Sequence, residues 1–227
     1  MSGRHSFCAV VPFKGTAQAK KRLASALTAP QRHTLALAML GDVLQTLAAV
    51  DELGGVLVVT ADPEGAALAA RHGAQVSSDH AREGHTGAVL GAVKGLLDRG
   101  LGLMTIPGDV PLVTPDDIRQ LLAAHAPGAG FTIVPARDDL GSNSVLCTPA
   151  GHVPLRFGDN SFFPHLAAAR ANGIEPNVVR LPRIALDIDT PEDLALFLAT
   201  PSATRARTLL DRLGLRADAL TGERATA

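Results

Sequence analysis

The sequence predicts an α/β fold in which helices cover both faces of a mostly parallel, mixed sheet. Short apolar runs alternate with longer segments of helical periodicity, which is the pattern of a parallel sheet. The chain has 227 residues, of which 46% are hydrophobic and 19% charged, so one domain can bury a core. Two segments also begin with the Thr-Pro pair that is typical of a helix start.

Seven strands are predicted from short apolar runs. They are Phe7–Phe13, Val56–Thr60, Gln75–Ser77, Leu103–Ile106, Phe131–Pro135, Ser144–Cys147 and Val178–Leu186. Because right-handed crossovers join parallel strands, the loops that follow these strands should meet at the carboxyl edge of the sheet. Functional residues are therefore expected in those loops.

Helices are predicted between the strands. The clearest spans Gln31–Val50, where apolar residues recur at helical spacing, and a second spans Gly84–Leu97. At Thr114 and Thr190 a hydroxyl precedes a proline, and a carboxylate follows three residues after the hydroxyl. This spacing indicates two capped helix starts.

Charge and composition exclude several classes of protein. The chain has 21 Lys and Arg against 22 Asp and Glu, with seven Phe and neither Trp nor Tyr. A net charge near zero and few aromatic rings argue against nucleic acid or an anionic membrane as the main partner. The start of the sequence lacks the pattern of a signal peptide, and no apolar run is long enough to span a bilayer. We therefore expect a cytoplasmic protein.

The domain organisation is expected to be simple. Residues 1–200 should form one domain, and residues 201–227 a C-terminal tail that is helical at Arg205–Leu213 and flexible beyond it. Cys8 and Cys147 lie in apolar, strand-like runs, where buried thiols are the expected state, and two cysteines cannot build a disulfide framework. The long helix at Gln31–Val50 is compatible with a core element or with the interface of a homodimer.

A cluster of basic residues follows the first strand. Lys14 and Gly15 come at its end, and Lys20, Lys21 and Arg22 follow shortly after. A glycine-containing loop with Lys and Arg can hold the phosphates of a nucleotide. The spacing differs from that of the Walker A loop. By itself such a cluster more often marks a solvated helix surface.

Three carboxylates predict a magnesium site. Asp109 lies between two prolines in a turn after a strand, and Asp187 and Asp189 alternate on a predicted strand end, so these two can point the same way. Carboxylate oxygens are the ligands that Mg²⁺ prefers, and three acids are costly to bury together without a cation. The alternatives are a turn role for Asp109 and helix capping for the pair, although Thr190 already provides that cap.

Two loops in the second half of the chain mix glycine with hydroxyl and amide side chains. One carries Ser142 and Asn143, and the other carries Gly158 and Ser161. Such loops can hydrogen-bond a phosphate or a carboxylate. His165 follows in the helix after the second loop, where a packed or surface histidine is expected rather than a ligand.

Together these segments resemble the 2-phospho-L-lactate guanylyltransferase (CofC-type) family of coenzyme F(420) biosynthesis. The resemblance runs from about Val10 to Leu198 and rests on VPFKGTAQAKKRL, IPGDVPL, LGSNSVL, FGDNSFFPH and LDIDTPEDL in this order. It implies a Rossmann-like nucleotidyltransferase sandwich. It also implies transfer of GMP from GTP to the phosphate of 2-phospho-L-lactate, phosphoenolpyruvate or 3-phospho-D-glycerate, with release of pyrophosphate.

The resemblance implies a role for each candidate residue, with Mg²⁺ as cofactor. These roles are metal binding and catalysis for Asp109, Asp187 and Asp189, catalysis and GTP binding for Lys14, GTP binding for Lys20 and Arg22, and phospho-acid binding for Ser142, Asn143, Gly158 and Ser161. Gly84 and Thr86, at a helix start, are expected to contact GTP, although Gly84-His85-Thr86 stands where the family usually has Gly-Leu-Asn. Gly141-Ser142-Asn143 likewise replaces the usual Gly-Thr-Asn.

Two other functions remain open at this point. A nucleotidyltransferase of another specificity, such as a molybdopterin cytidylyltransferase or a sugar-nucleotide enzyme, would share the fold and the acidic residues. A non-catalytic nucleotide-binding module would keep the fold without the reaction. The presence of all three aspartates together with Lys14 argues against the second.

Overall fold

Strands and helices alternate along the chain in a computed structural model that describes residues 7–15, 20–158 and 160–221. The strands are β1 (Phe7–Pro12), β2 (Leu53–Val59), β3 (Gln75–Ser77), β4 (Gly102–Thr105), β5 (Gly130–Pro135), β6 (Ser142–Thr148) and β7 (Asn177–Val178). The helices are α1 (Ala29–Ala48), α2 (Pro63–Arg71), α3 (Gly84–Asp98), α4 (Pro115–Ala124), α5 (Phe162–Ala171), α6 (Pro182–Ala185), α7 (Pro191–Ala199), α8 (Arg205–Arg212) and α9 (Ala217–Thr221). A 3-10 helix spans Lys21–Ser25.

The strands of the described residues form one mixed sheet in the order β3-β2-β1-β4-β6-β5-β7. β1 pairs in parallel with β2 and β4, β2 with β3, and β5 with β7. β6 runs antiparallel to both β4 and β5. The amino end of β6 therefore lies at the same edge as the carboxyl ends of β1, β4 and β5. The predicted mostly parallel, mixed sheet is confirmed.

Helices cover both faces of the sheet because successive side chains of a strand point to opposite faces. In β1, Ala9 and Val11 pack in the layer that contains α1 and α4, whereas Cys8 and Val10 pack in the layer that contains α3 and α5. Cys147 of β6 lies in the second layer, and both thiols are free and buried as predicted. A core of aliphatic side chains thus lies on each side of the sheet.

The two predicted helix caps are present. The hydroxyls of Thr114 and Thr190 accept hydrogen bonds from the backbone N–H groups of Asp117 and Asp193, at 3.3 and 3.2 Å. The two carboxylates in turn accept from the backbone N–H groups of the threonines. Such caps contribute about 1 kcal/mol each. Asp193 also accepts from the N–H of Asp189 at 3.3 Å, so the cap of α7 holds the chain just before that helix.

The long helix α1 is a core element. Its Leu40 and Val43 pack under the sheet, and Asp42 accepts the backbone N–H groups of Arg205 and Ala206 at 2.8 and 2.9 Å. The helix predicted at Arg205–Leu213 is therefore present as α8 and packs on α1. Residues 222–227 of the predicted tail lie outside the described residues. None of the described helices has the length and apolar character needed to cross a membrane.

The strand predicted at Val178–Leu186 is wrong. Only Asn177–Val178 pairs, with β5, and Pro182–Ala185 forms the short helix α6. Proline lacks the N–H that a strand interior requires, and its fixed φ suits the first turn of a helix. Residues 186–189 consequently form a loop between α6 and α7 instead of a strand end.

Candidate active site

One edge of the sheet gathers the predicted site residues from distant parts of the chain. Lys14 follows β1, Asp109 follows β4, and Ser142 and Asn143 begin β6. Because β6 is antiparallel to its neighbours, its first residues lie beside the carboxyl ends of β4 and β5, at the edge where β1 also ends. Residues 16–19 and Asp159, which belong to two of the predicted motifs, lie outside the described residues.

Asp109, Asp187 and Asp189 form an acidic cluster. One carboxylate oxygen of each lies within 4.8 Å of the others. The backbone N–H of Ile188 donates to the carbonyl of Asp109 at 3.0 Å, which joins the two loops. The Ile188 side chain is buried, so Asp187 and Asp189 point away from it toward Asp109. The pair points the same way, as predicted, but on a loop.

Lys20 inserts its ammonium group into this cluster. Its Nζ contacts Oδ2 of Asp109 and Oδ1 of Asp189, and the Lys20 side chain is only 9% exposed. Burial opposes the charge on Lys20, but the two carboxylates outweigh it and raise the pKa of this lysine. Lys20 was expected near GTP phosphates, and the structure places it on two of the acids.

Asn143 holds the third acid. Its amide nitrogen donates to Asp187 Oδ1 at 3.0 Å and to the carbonyls of Ile184 and Ala185 at 2.9 and 3.1 Å. Burial raises the pKa of Asp187 to about 6, and the neighbouring Asp109 adds to the rise, whereas the hydrogen bond from Asn143 opposes it. Asn143 was expected to contact a phospho-acid. In the structure its amide donates a hydrogen bond to Asp187, one of the three metal-binding candidates.

The acidic cluster fits a divalent cation. Oδ1 of Asp109 is buried and has no hydrogen-bond partner among the described residues. A buried carboxylate oxygen without a partner is costly, so this atom is suited to a cation. A set of carboxylate oxygens is what Mg²⁺ prefers.

Two cavities meet at the acidic cluster. The smaller, of about 290 Å³, is lined largely by apolar side chains, and the larger, of about 790 Å³, by polar ones. Residues shared by both walls are Lys14, His85, Pro107, Asp109 and Asp189. Among the predicted residues, Gly84 and Lys20 line the smaller cavity, and Arg22, Ser142, Asn143, Gly158, Ser161 and Asp187 line the larger.

Lys14 lies beside the start of α3. Gly84 has φ +82°, in the left-handed region that favours glycine, and a Cβ there would lie 3.7 Å from Lys14 Nζ. Thr86 is used differently, since its hydroxyl accepts the backbone N–H of Phe157 at 2.9 Å and lines neither cavity. The structure therefore brings Gly84 and Lys14 together and joins Thr86 to the loop before Gly158.

Ser142 and Ser161 form a buried pair with His165. The two hydroxyl oxygens lie 3.3 Å apart, and His165 Nδ1 lies 2.9 Å from the Ser142 oxygen. His165 Nε2 accepts the backbone N–H of Arg156 at 3.0 Å. Burial lowers the pKa of His165 to about 4. His165 is therefore packed, which was one of the two expected states. Its contact with Ser142, a predicted site residue, was not expected from the sequence.

Sequence reasoning missed two residues that line the cavities. His85 lies in both walls, and burial together with nearby Lys14 lowers its pKa to about 4. Arg137 lines the larger cavity and donates to Asp193 at 3.1 Å. The position of Arg137, two residues after the end of β5, is a signal that the sequence offered. For His85 the only signal in the sequence was that Gly84-His85-Thr86 differs from the Gly-Leu-Asn usual in the family.

Comparisons with known proteins give relatives along most of the chain. The sequence profile described as "Guanylyl transferase CofC like" matches residues 7–226. A phosphoenolpyruvate guanylyltransferase from Roseiflexus castenholzii is 37% identical over 203 residues, covering 88% of this chain and 92% of that protein. A 2-phospho-L-lactate guanylyltransferase from Methanothermobacter thermautotrophicus is 32% identical over 206 residues, covering 91% and 90%. A 3-phospho-D-glycerate guanylyltransferase from Colwellia psychrerythraea is 33% identical over 188 residues, covering 82% and 89%.

A solved structure shares the fold. A protein from Desulfovibrio desulfuricans G20 described as a nucleotide-diphospho-sugar transferase superposes with a TM-score of 0.71 at 18% identity, over 98% of both chains. This likeness confirms the Rossmann-like nucleotidyltransferase sandwich. Given the profile match over nearly the whole chain and relatives above 30% identity, the protein belongs to the guanylyl transferase CofC-like family.

Proposed function

We propose that this protein transfers GMP from GTP to the phosphate of a three-carbon phospho-acid, with release of pyrophosphate, in coenzyme F(420) biosynthesis. The acid is phosphoenolpyruvate, 2-phospho-L-lactate or 3-phospho-D-glycerate, the three compounds named for the relatives. The observation that carries the proposal is the acidic cluster, which lies where two cavities of different character meet.

The cavities suit two different substrates. The smaller has Phe13, Met39 and Ala88 in its wall and takes the purine, with Lys14 beside the phosphates. The larger has hydroxyls and two arginines, Arg22 and Arg137, and takes the phospho-acid. The chain has no Trp or Tyr on which to stack guanine, so backbone and polar groups recognise the edge of the base.

The reaction needs no nucleophilic side chain. An oxygen of the acid's phosphate is already anionic and attacks the α-phosphorus of GTP, while the bond from that phosphorus to the bridging oxygen of the β-phosphate breaks. The protein contributes position and charge. Lys14, which lines both cavities, neutralises the departing pyrophosphate, and the two substrates approach each other at the cavity junction.

Asp109, Asp187 and Asp189 would hold Mg²⁺ in this proposal. When bound, the ion supplies positive charge to the phosphates that react. Asn143 keeps the carboxylate of Asp187 oriented, and the cap residue Asp193 holds the backbone of Asp189. These two residues position the aspartates of the acidic cluster.

Pyrophosphate release tests the reaction. The purified protein is incubated with Mg²⁺, each of the three acids, and GTP, CTP, UTP or ATP in turn. We expect release with GTP and at least one acid, and a mass spectrum from a competition among the acids identifies the preferred one. Turnover with CTP or UTP instead would indicate another specificity, and GTP binding without pyrophosphate release would indicate a non-catalytic module.

Asp187 should make metal binding depend on pH. Burial and Asp109 raise its pKa to about 6, so the carboxyl holds a proton below that pH in the metal-free protein. Because the metal requires the ionised form, the apparent affinity for Mg²⁺ should be constant above about pH 7 and fall up to about tenfold per unit below about pH 6. Calorimetric titration of Mg²⁺ from about pH 5 to pH 8 measures this. If the affinity for Mg²⁺ does not change over that range, the assignment is contradicted. The variant Asp187→Asn should bind Mg²⁺ weakly at every pH.

A further inference from the structure

We propose that His165 is a positioning residue that directs a hydroxyl hydrogen of the Ser142–Ser161 pair into the larger cavity, where it binds an anionic oxygen of the phospho-acid. The inference deepens the proposed function and rests on it for the identity of the ligand. It does not rest on the metal or on the nucleotide. The observations that carry it are the contacts of three buried side chains.

The first step concerns the tautomer of His165. The backbone N–H of Arg156 lies 3.0 Å from Nε2 and can only donate, so Nε2 must be the unprotonated nitrogen. A neutral imidazole then carries its hydrogen on Nδ1. The ring stays neutral near pH 7, because burial lowers its pKa to about 4. Backbone geometry thus makes Nδ1 a donor.

The second step follows the hydrogen bonds outward. Nδ1 donates to the hydroxyl oxygen of Ser142 at 2.9 Å, so Ser142 cannot donate to the ring. Ser142 and Ser161 share one further hydrogen bond of 3.3 Å, in either direction. In both arrangements one hydroxyl hydrogen of the pair remains, and the described residues offer no other acceptor for it. Both serines line the larger cavity, so this hydrogen is available there.

The third step identifies what this hydrogen meets. The larger cavity contains Arg22 and Arg137, and α5, ten residues long, begins directly after Ser161. Cationic side chains and a helix N-terminus favour an anion at this wall. A hydroxyl hydrogen without an acceptor suits a carboxylate or phosphate oxygen, because hydrogen bonds to an ionised acceptor are the stronger ones. The serine pair at the start of α5 is therefore placed to bind an oxygen of the anionic acid.

The test begins with His165→Phe, which keeps an aromatic ring and removes both nitrogens. With phosphoenolpyruvate as the acid, we expect the KM for that acid to rise about tenfold, since the serine hydrogen is no longer directed at the charged group and their hydrogen bond is weakened. The KM for GTP and kcat should stay within about threefold. His165→Asn, whose amide N–H can stand where Nδ1 stands, should restore the KM for the acid to within about threefold of the unmodified protein.

Two further variants separate positioning from structure. His125→Phe is the matched control, because His125 contacts the hydroxyls of Thr132 and Thr148 at the opposite edge of the sheet, and it should leave both KM values unchanged. In a Ser142→Ala background, His165→Phe should add less than about twofold to the KM for the acid. A double-mutant cycle of this kind isolates the pairwise effect.

Several results would overturn the inference. The first is an unchanged KM for the acid in His165→Phe. The second is that His165→Phe raises this KM as much in the Ser142→Ala background as in the unmodified protein. The third is that His165→Asn folds but does not restore this KM. If His165→Phe does not fold, His165→Gln replaces it, because its amide can meet Arg156 while losing the contact with Ser142. If the unmodified protein turns over none of the three acids, the proposed function fails. Calorimetric binding of phosphoenolpyruvate by the same variants then decides the inference, with weaker binding by His165→Phe expected and equal binding against it.

Discussion

Asp109→Asn is expected to release pyrophosphate about a thousandfold more slowly than the unmodified protein. Asp109 lies in the wall of both cavities, its Oδ2 contacts Lys20, and its buried Oδ1 is left for a cation. An amide supplies one neutral oxygen and places an N–H₂ group near positive charge. A thousandfold lower rate corresponds to the loss of about 4 kcal/mol of transition-state stabilisation, at about 1.4 kcal/mol per factor of ten.

The measurement is pyrophosphate release at saturating GTP and acid, with a thermal unfolding curve to show that the variant folds. Asp116→Asn is the matched control, because the Asp116 carboxylate is 90% exposed on α4 and pairs with Arg119. It should retain full turnover. A rate for Asp109→Asn within tenfold of the unmodified protein would show that the acidic cluster does not carry the reaction.

Lys20→Met should have two separable effects. Turnover should fall about a hundredfold, because a preorganised positive charge is lost from the cavity junction. In the absence of nucleotide, however, the variant should bind Mg²⁺ at least about tenfold more tightly. The ammonium of Lys20 and a divalent cation compensate the same carboxylates, those of Asp109 and Asp189, and removal of the ammonium leaves three carboxylates with less compensation.

Calorimetric titration of Mg²⁺ measures the affinity, and unfolding temperatures with and without Mg²⁺ give a second readout. We expect the metal-free variant to unfold at a lower temperature and to gain more from Mg²⁺ than the unmodified protein. Lys94→Met serves as the control, since Lys94 is exposed on α3 and lines neither cavity. Equal or weaker Mg²⁺ binding by Lys20→Met would contradict the competition.

The acidic cluster was predictable from sequence, whereas its surroundings were not. A carboxylate in the turn that follows a buried strand lies at the edge of the sheet, so Asp109 could be assigned locally. Lys20 contacts acids that lie 89 and 169 residues away along the chain, and no local pattern records such a pair. The contact between His165 and Ser142, 23 residues apart, depends equally on how β6 and α5 are packed.

The error at Val178–Leu186 has a local cause. A short apolar run does not by itself distinguish a strand from a turn of helix, and here Pro182 decides for the helix. Asp187 and Asp189 nevertheless converge, because the buried side chain of Ile188 lies between them and its N–H is bonded to Asp109. The alternation of polar and apolar residues was therefore informative although the strand was not there.

The α/β fold class, the capped helices and the position of each acid after a strand or before a helix could be predicted from sequence, since each depends on neighbours a few residues apart. The contact of Lys20 with two of the acids, the hydrogen bond from Asn143 to Asp187 and the orientation of the serine pair by a buried histidine follow from tertiary packing alone. The last two depend on the antiparallel strand β6, which brings its first residues to the edge where parallel strands end. Strand direction is set by packing across the whole sheet, and so are the hydrogen bonds that depend on it.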